Sequence, residues 1–147
     1  KRGQISSRHP GDHETRFPAK HGEALTAVGL LSRMFLGQDP AKNPVMNRAA
    51  DTILAKPPVW NTETGAIDHY YWYYATYALY QMGGARWNKW SKAIDKAVVK
   101  TQRTDGNFLG SWDPAGAWGE DGGRVYSTAI LVLTVQAYYR YTRVLVR

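Results

Sequence analysis

Positions 68–82 of the chain read Asp68-His69-Tyr70-Tyr71-Trp72-Tyr73-Tyr74-Ala75-Thr76-Tyr77-Ala78-Leu79-Tyr80-Gln81-Met82. Tyrosine and tryptophan recur here at steps of one, three and four residues, so in an α-helix their side chains lie on every side of the axis. A helix that is apolar all round has to be covered on all sides. The stretch therefore predicts a helix in the interior of the fold, and Gly83-Gly84 predicts its end.

Four more helices are predicted around this aromatic helix. They span about residues 23–36, 44–55, 86–102 and 125–144. The first and last are apolar on most sides, whereas the second and fourth have one apolar face and one polar or basic face. The alternation predicts an all-α fold of antiparallel αα-hairpin repeats, with inner aromatic helices and outer amphipathic helices.

These two layers predict which side chains are exposed. Lysines that recur on one face of the fourth helix should be exposed, and residues of the third and fifth helices should be mostly buried. The exposed residues are Lys92, Lys96 and Lys100, and the buried ones are Tyr73, Tyr77, Ile130 and Leu133. The fifth helix has no outer partner in this chain, so its uncovered side should expose some of Ile130, Leu131, Leu133, Val135 and Tyr138.

The composition limits the classes of protein that this chain can belong to. Its 147 residues, 44% of them apolar, suit one packed domain. The absence of cysteine excludes a disulfide scaffold, a thiolate zinc site and a cysteine nucleophile. The most apolar run, residues 129–135, is far shorter than the roughly 20 residues of a membrane span, so no span is predicted.

The domain organisation follows from where the helical period begins. Residues 1–22 contain Pro10, Pro18 and scattered charges without a helical period, and we interpret them as an extended arm or the end of a preceding repeat. Residues 23–147 are interpreted as the repeat domain. Nothing in the sequence indicates a cellular compartment.

A motif after the fourth helix resembles a known repeat. It reads Gln102-Arg103-Thr104-Asp105-Gly106-Asn107-Phe108 and resembles the repeat of squalene–hopene cyclases, with Phe108 in place of the final tryptophan. Residues 110–129 are similar to a late repeat of uncharacterised bacterial proteins with prenyltransferase/squalene-oxidase-type repeats. The resemblance covers about residues 23–147 and implies a partial α/α toroid.

The motif also has a local physical interpretation. The Gln102 amide can reach unpaired backbone groups at a neighbouring helix end, and Gly106 allows a turn. Phe108 can fill the gap between repeats.

The catalytic signatures of the families that the chain resembles are absent from it. Hopene-type cyclases use an Asp-x-Asp-Asp acid, prenyltransferases a zinc site with a cysteine ligand, and thioester domains a reactive cysteine, and this chain has none of these. We therefore predict no cofactor and no metal site, and we leave enzymatic activity open with a non-catalytic role preferred. His9, His13 and His21 lack a spacing that would place them on one metal ion.

Long loops enter the predicted inner helices from one rim, and such loops often carry functional residues. The candidate residues of this rim, or of a cavity beside the aromatic helix, are Trp60, Glu63, Asp68, Trp72, Tyr73, Tyr77, Trp112, Asp113, Trp118, Glu120 and Asp121. The aromatic ones would suit a cavity for an apolar isoprenoid. Packing between inner helices is the preferred explanation for them.

Three function classes remain. The preferred one is a non-catalytic interaction or scaffold domain that docks to itself or to a larger assembly, with a protein as partner. The alternative is a fragment of a terpenoid-cyclase or prenyltransferase-like enzyme that holds an apolar small molecule. A carbohydrate-active α/α barrel would use paired rim carboxylates such as Glu63 and Glu120. Nucleic acid is not favoured, because a lysine stripe is usually a solvated face.

Overall fold

The computed structural model describes residues 23–64 and 66–140, and these residues form helices, turns and loops without a β-strand. The helices are α1 (Ala24–Phe35), α2 (Pro44–Leu54), α3 (His69–Met82), α4 (Gly84–Ala97) and α5 (Gly119–Arg140). Short 3₁₀ turns follow α4 at Val99–Thr101 and Gly106–Phe108. The all-α class and the five predicted helices are confirmed, while the predicted arm at residues 1–22 lies outside the described residues.

The aromatic helix α3 lies at the centre of the helical packing. It contacts α1, α2, α4 and α5, and α2 also contacts α1 and α4. Most of its side chains are buried, with Trp72 and Leu79 among the largest fully buried ones. The prediction that this helix occupies the interior is confirmed.

Hydrogen bonds hold the buried aromatic side chains in place. The Tyr71 hydroxyl lies 3.0 Å from the carbonyl oxygens of Ile53 and Lys56, so it serves backbone groups at the C-terminal end of α2. In α4, the Trp90 indole donates to the Thr76 hydroxyl of α3 at 2.9 Å. Because a buried polar atom without a partner is costly, these bonds specify which helix packs against which side of α3.

The helices α2 and α4 each bury a single face. Met46, Ala50 and Ile53 are the buried residues of α2, and Trp90, Ile94 and Ala97 are those of α4. Lys92 and Lys96 lie on the opposite side of α4 and Lys100 lies in the 3₁₀ turn that follows it, and all three are exposed as predicted. The amphipathic character predicted for these two helices is confirmed.

Two helix ends differ from their predicted positions. α4 ends at Ala97 rather than near residue 102, because the chain tightens there into a 3₁₀ turn in which the Thr101 hydroxyl donates to the Ala97 carbonyl at 2.8 Å. α5 begins at Gly119 rather than near residue 125, as a single turn. Gly123 then leaves helical geometry with φ 63° and ψ −166°, a conformation that suits glycine, before the helix continues.

The helices α1 and α5 each leave one side uncovered, which the sequence predicts for α5 but not for α1. α5 packs on α3 through a stripe that includes Ser127, Leu131 and Thr134, and its opposite side stays open. The prediction that Leu133 is mostly buried is therefore wrong, since it is 42% exposed. Ile130 and Tyr73 are mostly though not fully buried and Tyr77 is buried, so the prediction is confirmed for these three residues.

The helix α1 also has an open side. Ala27, Leu30, Leu31 and Met34 are its buried residues. Leu25, Phe35 and Leu36 are exposed, although the sequence predicts cover on most sides of this helix. Both α1 and α5 pack against α3. In the described part of the chain, no further helix packs against their other sides, which are therefore open.

The division of α5 into a packed and an open side predicts a contrast between two leucines. Leu131→Ala should lower the free energy of unfolding by about 2–5 kcal/mol, because Leu131 is fully buried and its removal leaves a cavity. Leu133→Ala, two residues along the same helix, should cost less than about 1 kcal/mol. Urea denaturation of both variants measures the difference, and equal losses would contradict the packing of α5.

Candidate functional site

The start of α3 is fixed by its capping residue. Asp68 precedes the helix, is fully buried, and accepts a hydrogen bond from the Tyr71 backbone N–H at 3.0 Å. A carboxylate in this position satisfies an unpaired donor of the first turn and lies at the positive end of the helix dipole. Among the sequence candidates, Asp68 thus has a structural task that holds the α3 entrance in place.

Two tryptophans enclose a buried histidine next to this cap. The His69 ring stacks on Trp60 with centroids 5.5 Å apart and meets the edge of Trp72 at the same centroid distance. Its Nε2 atom is buried without a hydrogen-bond partner. Burial lowers the pKa of His69 from 6.5 to about 4, so the ring is neutral at pH 7.

Sequence reasoning brought out Trp60 and Trp72 and missed His69. The available signal was its position: a histidine in the first turn of a helix that is aromatic on every side has to share the burial of its neighbours. Trp72 is fully buried in this cluster and Trp60 half-buried, so Trp72 packs in the core rather than lining an open surface.

The loop before α5 packs against the segment that leads into α3. The Ala117 N–H donates to the Ile67 carbonyl at 3.1 Å. Gly116 lies so close that a Cβ atom there would sit 2.8 Å from the same Ile67 oxygen, and its φ of +105° also disfavours a side chain. This close approach places Trp118 beside Tyr70, with ring centroids 6.5 Å apart.

From Trp118, aromatic rings continue along one side of α3. Tyr70 and Tyr74 have centroids 4.7 Å apart, Tyr74 and Tyr73 are 5.0 Å apart, and Tyr73 and Tyr77 are 4.8 Å apart. We call these five residues the aromatic ladder. Tyr77 at its end is buried, and the other four are partly exposed.

Asp113 belongs to an ion-pair network in the loop that follows α4. It accepts hydrogen bonds from Arg124 at 2.6 Å and from Arg103 at 2.9 Å, and Arg103 also pairs with Asp105 at 2.6 Å. The hydrogen bond from Arg124, followed by that from Arg103, holds the pKa of Asp113 below its usual value. The Arg124 guanidinium lies over the Phe108 ring, with its carbon 4.1 Å from the ring centroid.

The repeat-like motif forms a loop that closes on itself. The Gln102 side-chain amide donates to the Gly110 carbonyl at 2.8 Å, and so contacts this loop rather than a helix end. Gly106 has a φ of +46°, in keeping with a turn. Phe108 is 45% exposed and stacks on arginines instead of filling a gap between helices.

The remaining candidates lie apart from the aromatic ladder or on the surface. Trp112 is buried, and its indole donates to the Val98 carbonyl at 2.8 Å. Glu63, Glu120 and Asp121 are exposed. Within residues 23–64 and 66–140, no three histidine or carboxylate side chains come together as a metal site would require. The structure does not describe His9, His13 and His21, nor the side chain of Tyr138.

None of the helices in the described ranges combines the length and the apolar composition needed to cross a membrane. Comparison of the chain with family models, with curated proteins and with solved structures yields no match. The resemblance to toroid repeats therefore stays a prediction, and function has to be inferred from the geometry above.

The neutral state of His69 predicts a specific sensitivity to acid. Between about pH 4 and pH 6.5 the unfolded chain binds a proton at this residue that the folded chain does not, so stability falls as the pH falls through this range. From pH 7 to pH 5, the wild-type protein should lose about 2 kcal/mol more than a His69→Phe variant. Denaturant titrations at both pH values test this, and equal losses would show that His69 is not buried in its neutral form.

Proposed function

We propose that the chain is a non-catalytic interaction or scaffold domain that docks through the open side of α5, to itself or to a larger assembly. The supporting observation is an apolar stripe along that side. Val125 is 83% exposed, Leu133 42% and Tyr139 81%, and Ala129 between them is exposed as well. At roughly 100° per residue these positions share one face of the helix, opposite the stripe that packs on α3.

An apolar stripe of this kind is unusual on a surface that meets only water. Single exposed apolar residues are common, but a contiguous patch beyond roughly 300–600 Å² generally marks an interaction site. Here Val125, Ala129, Leu133 and Tyr139 lie along one side of α5 with Gln136 among them, so the stripe spans several turns rather than a single position. Burying it against a partner is favourable at about 25 cal/mol per Å² of apolar surface, before the entropy of association is subtracted.

The open side of α1 suggests how copies of the chain would associate. Leu25 is 70% exposed and Leu36 is exposed too, on the other helix that flanks α3. We interpret α1, α3 and α5 as the inner row of a partial α/α toroid, with α2 and α4 as its outer row. The α1 side of one copy would then meet the α5 side of the next, which is a head-to-tail contact.

Charge-introducing variants of the two sides test this association. One variant carries Val125→Asp with Leu133→Asp on α5, and the other carries Leu25→Asp with Leu36→Asp on α1. All four positions are exposed, so both variants should keep the stability of the wild type. In sedimentation, the wild type should be oligomeric, and each variant on its own should be monomeric.

Mixing the two variants identifies the type of contact. In the mixture, the α5 variant still has an intact α1 side and the α1 variant still has an intact α5 side. If the contact is head-to-tail, these two sides should pair to give a heterodimer, which cannot add further copies because its remaining α1 and α5 sides carry the substitutions. A matched variant with Asn88→Asp and Val99→Asp on the exposed side near α4 should associate like the wild type. A monomeric wild-type protein at micromolar concentration that also binds no partner through α5 would contradict the proposal.

The second candidate function is an enzyme fragment of cyclase or prenyltransferase type. The partly exposed tyrosines of the aromatic ladder favour it as a surface for an apolar ligand. Trp72 and Tyr77 do not, because both are buried in the packing of α3. A carbohydrate-active barrel built on Glu63 and Glu120 has no support beyond the exposure of both carboxylates.

We predict that the 147-residue chain turns over neither squalene nor a prenyl diphosphate. The sequence contains no Asp-x-Asp-Asp acid to protonate an alkene and no cysteine to complete the prenyltransferase zinc site. Product analysis by mass spectrometry after long incubation with each substrate, with and without added zinc, measures this. Formation of a cyclised or prenylated product would favour the enzyme-fragment alternative.

A further inference from the structure

We propose that the contact between Trp60 and His69 is an acid-sensitive switch: protonation of His69 releases the Trp60 ring and opens residues 57–64 while the helices stay folded. This switch determines which part of the chain opens first in acid, whereas the acid sensitivity predicted above concerns the stability of the whole fold. It is separate from the docking stripe of α5 and does not depend on the proposed interaction function.

Residues 57–64, which lead from α2 towards α3, are attached to the helices by side-chain packing. In the described part of the chain, the hydrogen bonds of this segment are all made by Asn61 and lie within the segment, and no ion pair links it to another one. Pro58 is buried, and Trp60 packs against the core while it stays partly exposed. Because no hydrogen bond to a helix has to break, the segment can open without unfolding a helix.

Trp60 is the movable one of the two rings that contact His69. It stacks on the imidazole with centroids 5.5 Å apart and an angle of 26° between the ring planes. Trp72 meets the imidazole edge to face and belongs to α3 itself, where it is 1% exposed. Water therefore reaches His69 at least cost when Trp60 moves away.

Protonation of His69 is incompatible with the closed arrangement. The residue is 2% exposed, and its Nε2 atom has no hydrogen-bond partner. A protonated imidazole carries an N–H on both nitrogens, so Nε2 would become a buried, charged donor without an acceptor. Burial lowers the pKa to about 4, and a ring exposed to water has its ordinary pKa of 6.5, so protonation and opening favour each other.

The other charges around the start of α3 leave the direction of this response unchanged. The titratable groups on the surrounding segments are Asp68, Tyr70 and Tyr71 at the start of α3, Glu23 beside α1, Lys56 after α2, Glu63 in the loop, and Glu120, Asp121 and Tyr126 of α5. Glu23 and Lys56 form an ion pair, and the carboxylates of the loop and of α5 are exposed. Burial is the cause of the lowered pKa of His69, so acid acts on it through desolvation.

Cleavage of the full chain by a glutamyl endopeptidase tests the switch, because the Glu63–Thr64 bond lies in the segment that opens. Mass spectrometry follows this one bond, and a free peptide of residues 57–68 gives the rate without structure at each pH. Relative to the peptide, cleavage of the wild type should rise about 20-fold from pH 7 to pH 5, as a pKa of 6.5 in the open state and about 4 in the closed state implies. His69→Phe keeps a stacked ring and should show no such rise.

Two further variants assign the effect to these side chains. Trp60→Ala lacks the ring that covers His69, so its Glu63–Thr64 bond should be cleaved faster than that of the wild type at pH 7 already. Asp68→Asn keeps an oxygen that can cap α3 and removes the neighbouring carboxylate, and the rise between pH 7 and pH 5 should persist in it.

Hydrogen exchange of the α3 amides in the same buffers separates local opening from global unfolding. At pH 5 the Glu63–Thr64 bond should become accessible at a lower free energy than the α3 amides. The proposal is overturned if cleavage relative to the peptide is equal at both pH values, if His69→Phe shows the wild-type rise or Asp68→Asn loses it, or if Trp60→Ala is as resistant as the wild type. Equal opening free energies from cleavage and from α3 exchange would also overturn it, because His69 would then be protonated only on global unfolding.

Discussion

Burial of the aromatic side chains of α3 determines where the other four helices pack. This helix carries tyrosine or tryptophan at half of its positions, and burying such large side chains removes much apolar surface from water. It also buries polar atoms that need partners. The Tyr71 hydroxyl finds them at the end of α2, and Thr76 finds the Trp90 indole of α4. Hydrophobic burial thus provides the driving force, and these hydrogen bonds select one arrangement among those that would bury similar areas.

The same constraint leaves exposed or partly exposed apolar side chains at three places. α1 and α5 flank α3 and each bury only the side that faces the packing, so their outer sides remain apolar and open. On one side of α3, the rings of the aromatic ladder are partly exposed. The loop after α4 is held by the Arg103, Asp113 and Arg124 network and by the close contact of Gly116 with Ile67, which positions Trp118 at one end of the ladder.

Much of the fold is predictable from the sequence, because helical periodicity reports how many sides of a helix are apolar. That signal was enough for the five helices, for the central position of α3 and for the exposed lysines of α4 and of the 3₁₀ turn after it. It does not report which apolar residues lie on the uncovered side, and for this reason the sequence could not decide between Leu131, which is buried, and Leu133, which is exposed. Helix ends shifted where glycine or a 3₁₀ turn changed the backbone locally, as at Gly123 and Thr101.

The site residues were harder to predict because their roles depend on contacts between distant segments. Asp68 reads as a rim acid in the sequence and is a buried helix cap in the structure. Phe108 matches a repeat motif, yet it stacks on Arg124, sixteen residues further along the chain. The position of His69 in the aromatic helix indicates its burial, but only the stacking of Trp60 and the edge contact with Trp72 show which rings surround it.

Native-state hydrogen exchange tests most directly whether the structure depends on α3. The backbone amides of α3 should be the slowest to exchange in the described part of the chain and should open only with global unfolding, while those of α1 and α5 should open at lower free energy because one side of each helix is uncovered. Exchange of the α3 amides at the same rate as those of α1 and α5, or faster, would contradict its place as the element around which the other helices pack.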